Sequence, residues 1–357
     1  MIRRLMNRRL ALTATVALVA TATLAACSSS SADPAGGAKS AGESITLYNG
    51  QHEQTADGLV AAFEKQTGIT VNVQNDDEDT FANEIALQGS HSPADVLYTE
   101  NSPALEFLQG KGLLAKADAS TLAQVPAQYS SPTGDWVGVS ARVSVIIYNP
   151  SMISKSQLPA SVMQLADPKY KDKLAFAPSE TDFQPIVTSV IKAYGQAKAL
   201  QWLEGVKSNA SAHTYPDNET IADEVNRGQV AFGVINQYYW YRLQAEIGQS
   251  QMHSDITYFA PHDPGYVVDV SGAAVLKSSK HQAAAQKFLA FLVSKQGQEI
   301  IAQASGDEQS YEYPLASGVT TTASETPFAQ LQPFPITIAE LGDGQQAINL
   351  LQQAGLS

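Results

Sequence analysis

Val230-Ala231-Phe232-Gly233-Val234-Ile235-Asn236-Gln237-Tyr238-Tyr239-Trp240-Tyr241 is an apolar run that ends in three tyrosines and a tryptophan. Its first half has the length and composition of a strand covered on both faces, as in an open α/β sheet. Such sheets hold ligands beyond the carboxyl ends of their strands, so the stretch predicts a strand that delivers several phenol oxygens to one rim. Two readings of the aromatics stand side by side at this point. They form a packing patch or a sugar-stacking platform, or they present phenolates, which are hard oxygen donors.

The totals narrow the partners. A chain of 357 residues is too long for one average core, so two lobes are expected, and a 44% hydrophobic share can fill both. The first 26 residues carry only Arg3, Arg4, Arg8 and Arg9 as charges, so the remainder bears a formal −17 against −13 for the whole. An acidic surface repels nucleic acid and anionic lipid and welcomes a cation. Cys27 is the single cysteine, which excludes an intrachain disulfide and a zinc-thiolate cluster.

The amino terminus reads as an address. Met1 to Arg9 is basic, and Leu10 to Ala26 is apolar and too short to be counted as a spanning helix, so residues 1–26 are expected to be an export signal. Leu24-Ala25-Ala26-Cys27 resembles a bacterial lipobox, which implies cleavage before Cys27 and a membrane anchor through lipid on its sulfur. Residues 27–43, rich in Ser, Ala and Gly, are expected to be a flexible tether.

Around the aromatic stretch the chain alternates strands and helices. Ile45-Thr46-Leu47-Tyr48 predicts a strand, Leu59, Val60, Ala62 and Phe63 one face of a helix stopped by Gly68, and Ile69 to Val73 a second strand. His52 then falls just past the first strand. Asp95-Val96-Leu97-Tyr98 predicts another strand whose end releases Glu100 onto the same rim. The acidic run Asn75 to Asp79 reads as a solvated loop in which Asp79 or Thr80 caps the next helix. Further on, Trp136 to Ser140 and Val143 to Tyr148 predict two strands leading into a second lobe. Asp182 or Thr181 is placed to cap a helix through Ile186, Val187 and Val190, another helix ends near Gly205, and Tyr266 to Val270 predicts a return crossing.

With these residues on the page, the chain from Ile45 to Leu356 resembles the FbpA-type ferric-iron-binding proteins, the substrate-binding components of ABC importers. The likeness is carried by Tyr48-Asn49-Gly50-Gln51-His52, Pro93-Ala94-Asp95-Val96-Leu97-Tyr98-Thr99-Glu100, Asn236 to Tyr241, and Ser271-Gly272-Ala273-Ala274-Val275-Leu276-Lys277, in that order. The resemblance implies an α/β, two-lobed, class II periplasmic-binding-protein fold with two crossing strands at the hinge. The expected first lobe is 44–143 with 269–324, and the second is 144–268 with 325–357. It further implies that Fe3+ is held by His52, Glu100, Tyr238 and Tyr239, and that a monomer hands it to a membrane permease.

Four protein ligands leave an octahedral ion two positions short, which the family fills with water or a synergistic anion such as phosphate or carbonate. Asn101, Asn218 and Asn236 match anion-contacting positions, but Glu180-Thr181-Asp182 stands where phosphate-binding members carry a Ser-Gly-Ala turn. An arginine that holds carbonate in some relatives corresponds to Ser144, with Arg142 two residues away. Two carboxylates oppose a second anion, so water, or a carboxylate from Glu180 or Asp182, is expected to complete the shell. The competing readings are a receptor for another small solute (sugar, polyamine or chelated metal) and a secreted metallohydrolase; neither HExxH nor GxSxG is present.

Overall fold

The computed structural model describes residues 42–303, 310–321 and 324–356. The expected export signal, Cys27 and all but the last two residues of the tether therefore lie outside the described residues. The chain opens as β1 (Ser44–Gly50), α1 (Glu53–Thr67), β2 (Thr70–Asn75), α2 (Glu78–Gln88), β3 (Val96–Thr99), α3 (Pro103–Gly110) and α4 (Ala119–Leu122). It continues as β4 (Val137–Tyr148), β5 (Leu174–Ala175), α5 (Gln184–Tyr194), α6 (Gln196–Ala210), α7 (Asn218–Asn226), β6 (Phe232–Asn236) and α8 (Gln237–Ile247). The remainder is β7 (Asp255–Thr257), β8 (Val268–Val275), α9 (Gln282–Leu292), α10 (Lys295–Ala302), β9 (Tyr313–Pro314), α11 (Ile338–Leu341) and α12 (Gln345–Gln353).

The strands run in the order β2-β1-β3-β8-β4-β6-β5, and β7 and β9 also pair with β4. Every residue of β3, β4, β6 and β8 is buried, as strands covered on both faces must be, which explains their unbroken apolar composition. The strand β4 changes partner halfway along. Val137 to Val143 pair with β8, whereas Ser144 to Tyr148 pair with β6. At the change, Ser144 Oγ donates to the Gly265 carbonyl at 2.6 Å and accepts from Val267 N at 2.9 Å. The serine standing at the position of the anion arginine thus ties two crossing segments together.

Residues 324–337 form a third connection between the two ends of the sheet. Phe328 packs on Tyr129 and Tyr313, Phe334 N donates to the Tyr266 carbonyl, and α12 then rests on α5 and α6. Aromatic pairs pack into the hydrophobic core on both sides. Phe63 of α1 meets Phe288 of α9 on one side, and Phe183 stacks on Trp202 of α6 on the other.

Several local expectations are corrected. The aromatic stretch is not a strand end: β6 stops at Asn236 and all four rings lie on α8, because the apolar run is exhausted there and Tyr238, Tyr239 and Tyr241 follow a helical face. The two predicted strands at 136–148 are one twelve-residue strand with a register shift between Gly138 and Ser140. The predicted return crossing is the start of β8. Helix α6 runs through Gly205, where a Cβ would come within 2.6 Å of Ala166 Cβ; that glycine serves a close approach and not a stop. Helix α2 is capped by Asp77, whose carboxylate accepts from Asp79 N, and neither Asp182 nor Thr181 caps α5.

Gly138 marks where β4 must be thin. A Cβ there would lie 1.9 Å from the Tyr129 carbonyl oxygen, a backbone atom that cannot rotate aside. Gly138→Ala is therefore expected to cost about 1–3 kcal/mol or more by overpacking, read as a lowered urea midpoint.

Candidate functional site

The fold delivers its reactive side chains from junctions where a strand gives way to a helix. His52 is the N-cap residue of α1 directly after β1, with its carbonyl accepting from Thr55 N and Ala56 N. Glu100 follows β3, in a loop fixed by the Thr99 hydroxyl, which donates to the Asn101 carbonyl at 2.8 Å. Glu180, Thr181 and Asp182 follow β5, and Tyr238 and Tyr239 open α8 after β6. Helix amino termini carry partial positive charge, which favours anions such as carboxylate or phenolate there.

These groups converge. His52 Nε2 lies 3.0 Å from Glu100 Oε1 and 3.2 Å from the Tyr238 hydroxyl. The Tyr238 hydroxyl donates to Glu100 in a short bond and reaches Asp182 Oδ2 at 3.2 Å. The Tyr239 hydroxyl lies 3.3 Å from Glu100 Oε1 and 2.9 Å from Glu180 Oε1. Donors ~2.0–2.2 Å from one small cation stand about 2.9 Å apart along an octahedral edge; here the donor atoms of His52, Glu100, Tyr238 and Tyr239 are hydrogen-bonded to one another, close enough to converge on one small ion. No group of three or more His, Cys, Asp and Glu side chains alone is placed to hold a metal ion among the described residues. A donor set here needs the phenols.

Two of the residues expected to contact an anion, Asn101 and Asn218, are instead engaged with Asp182. Asn101 Nδ2 donates to Asp182 Oδ1 at 3.0 Å and Asn218 Nδ2 to Asp182 Oδ2 at 2.9 Å, and Thr181 Oγ1 lies 3.2 Å from Asn101 Nδ2. Asn236 is buried at the N-cap of α8, and its side chain enters none of these bonds.

Electrostatics set the protonation of the cluster. Burial, then the charge of Glu100, pushes Asp182 up to about 6. Burial, then Asp182, lifts Glu180 well above the carboxylate range, and its Oε2 is buried without a partner. Burial also works against Glu100, but His52 and Arg142 outweigh it and hold that carboxyl far below its ordinary value. Both phenols are raised well above 10, by burial first and by Asp182 and Glu100 next. The two rings differ in what surrounds them. Tyr238 has the guanidinium carbons of Arg142 and Arg242 at 5.5 and 4.9 Å from its ring centre, whereas Tyr239 faces Glu180.

Two buried acids escaped the sequence reading. Glu78, read as part of a solvated loop, is 3% exposed and accepts from Asn101 N at 2.8 Å. Gly50, where a Cβ would press within 2.6 Å of Glu78 Cβ, makes room for it. Glu312 pairs with Arg142 Nη2 at 2.7 Å in the interior. An acidic run gives no hint of which member turns inward, and nothing near Glu312 in sequence announces a partner 170 residues away.

Comparison with known proteins fits this geometry. The model of the bacterial extracellular solute-binding protein family matches residues 91–336. A Fe(3+)-binding periplasmic protein of Serratia marcescens is 39% identical over 319 residues, covering 89% of this chain and 92% of that protein. The major ferric iron-binding protein of Neisseria meningitidis serogroup B is 36% identical over 317 residues, 87% and 93% of the two chains. Among solved structures, iron-bound HitA from Pseudomonas aeruginosa superposes with a TM-score of 0.84 at 42% identity, covering 88% of this chain and all of that one. These relatives bear out the FbpA-type resemblance and the α/β, two-lobed class II periplasmic-binding-protein fold. No described helix is long and apolar enough to cross a membrane. With well over half its length matched, the chain belongs to the bacterial extracellular solute-binding protein family.

Proposed function

We propose that this protein captures ferric iron outside the cytoplasm and hands it to the permease of an ABC importer, with His52, Glu100, Tyr238 and Tyr239 as iron ligands. The observation that carries the reading is the meeting of two adjacent phenols from one part of the sheet with a carboxylate and an imidazole from the other, close enough to converge on one small ion. Ferric iron is hard and trivalent; two phenolates and one carboxylate neutralise it, which lowers the cost of enclosing it. The relatives are named as ferric-binding proteins, which favours capture over catalysis.

The expected lobes, 44–143 with 269–324 and 144–268 with 325–357, are supported by the change of partner in β4 between Val143 and Ser144. Their closure would bring the two halves of the donor set together. Leu24-Ala25-Ala26-Cys27 supports a lipid anchor, and the protein acts as a monomer. Water, or the carboxylate of Glu180 or Asp182, completes the iron shell: the amides that would grip an exogenous phosphate or carbonate already grip Asp182, and Glu180 Oε1 stands beside the Tyr239 hydroxyl.

Titration with ferric citrate tests this directly. The wild type is expected to develop a visible tyrosinate-to-iron band, and Tyr238→Phe, Tyr239→Phe or Glu100→Ala to lose at least ~100-fold in affinity, since changes one shell further out already cost ~10–100-fold. A wild type that stays colourless under saturating iron ends the ferric reading. Adding phosphate is expected to leave the wild-type spectrum unchanged and to alter that of Glu180→Ala.

The pH dependence has a definite sign. Both phenols hold their protons at neutral pH when iron is absent, and Glu180, raised well above its ordinary value, gives up a further one where it joins the shell, so binding expels two to three protons and affinity should fall ~100–1,000-fold for each unit that pH drops. The stability of the iron-free protein should move oppositely. Asp182, raised from 3.8 to about 6 in the folded state, contributes stability that is full below about 3.8 and lost as pH rises through about 6. Thermal melts are expected to show iron-free protein more stable at about pH 5 than at about pH 7, with the order reversed once ferric iron is supplied.

A further inference from the structure

Resting on the ferric reading above, we infer that Tyr311 and Glu312 form a single positioning clamp that fixes His52 and Tyr238 relative to each other and so governs how fast iron is released. The residue before each of these two side chains is a buried glutamine, Gln51 and Gln237, and both use their carboxamides alike. Gln51 Oε1 accepts from His52 N at 2.8 Å, and Gln237 Oε1 accepts from Val143 N at 2.8 Å. Gln51 Nε2 donates to Glu312 Oε1 at 3.2 Å, and Gln237 Nε2 donates to the Tyr311 carbonyl at 3.2 Å. Two amides that follow different strands, 186 residues apart, therefore end on neighbouring residues of one segment.

That segment is anchored against drift. Glu312 is fully buried, takes Arg142 Nη2 at 2.7 Å and accepts the Ser140 hydroxyl in a short bond, both from β4. Arg142 Nη1 reaches Asn101 Oδ1 at 3.3 Å, beside Glu100. Tyr311 has φ +53°, a left-handed conformation that is strained for a residue with a Cβ and persists only where its surroundings over-determine it. Its ring stacks on Tyr241 of α8, with centroids 6.2 Å apart and planes at 17°. The turn at Tyr311 aims its carbonyl at Gln237 while the next side chain reaches Gln51. Opening the cleft would strain one or both arms, so the clamp favours the arrangement in which His52 and Tyr238 stand 3.2 Å apart.

A double-mutant cycle separates this from two independent structural bonds, because Gln51 and Gln237 are joined through Tyr311 and Glu312. The iron-loaded protein, Gln51→Leu, Gln237→Leu and the double variant are mixed with excess chelator, and the decay of the visible band gives the release rate. Each single change removes two buried hydrogen bonds and is expected to speed release about 3–100-fold, and to shift the band itself. The double variant is expected to release little faster than the faster single variant, because cutting one arm already frees the clamp. Effects that simply multiply, or release rates equal to wild type, overturn the inference while leaving the ferric reading intact. A wild type without a visible band overturns both. Should Gln237→Leu fail to fold by circular dichroism, Tyr311→Gly takes its place in the cycle, since it keeps the carbonyl but frees the backbone that aims it.

Discussion

Crowding of acidic groups is the constraint on which the rest depends. Glu78, Glu100, Glu180, Asp182 and two phenols share one buried neighbourhood with Arg142 and Arg242 as the opposing charges and His52 beside Glu100. Burial and mutual repulsion keep protons on most of them, and only Glu100, beside His52 and Arg142, is held firmly ionised. Such a neighbourhood is costly for a folded protein unless its charges are matched. A compact trivalent cation matches them better than any neutral solute, and a further anion would worsen the repulsion. The same electrostatics thus favour a cationic cargo.

The scaffold answers this crowding with amides in place of further charge. Asn101 is the hub: its backbone N–H binds Glu78, its side-chain amide binds Asp182, and its side-chain oxygen takes Arg142. Because Asn101 follows β3 and Asp182 follows β5, this one residue links donors that belong to opposite ends of the sheet. Amide hydrogen bonds satisfy buried carboxyl groups whether or not they carry protons, so such links hold the geometry without altering the net charge.

How much of this could be read from the sequence depended on whether the signal was local. His52, Glu100 and the tyrosine pair were legible because each sits just past a strand whose apolar run is plain, and strand ends are where open α/β sheets bind. The family likeness then joined four such places into one site. Glu180 and Asp182 were legible as a charge anomaly in that pattern. Glu78, Glu312, Gln51 and Gln237 stayed hidden, since a glutamine or an acid in a polar stretch looks the same whether it faces water or a buried partner far along the chain. The division of the aromatic stretch between β6 and α8 was lost for a related reason: an apolar strand and the buried face of a helix draw on the same residues, and no glycine or proline separates them.

The long strand β4 has a mechanical meaning. All twelve of its residues are buried and it keeps its pairing on both sides of Val143 and Ser144, so neither half can slide along it without stripping ladder bonds. Any relative motion must then be taken up as torsion in a few dihedral angles at that junction, where Ser144 lashes residues 265–267 alongside. The strand thereby resembles a torsion bar, and its twisting point sits directly beside Arg142 and Gln237, so a swing of its two ends is felt at once by the groups around Tyr238.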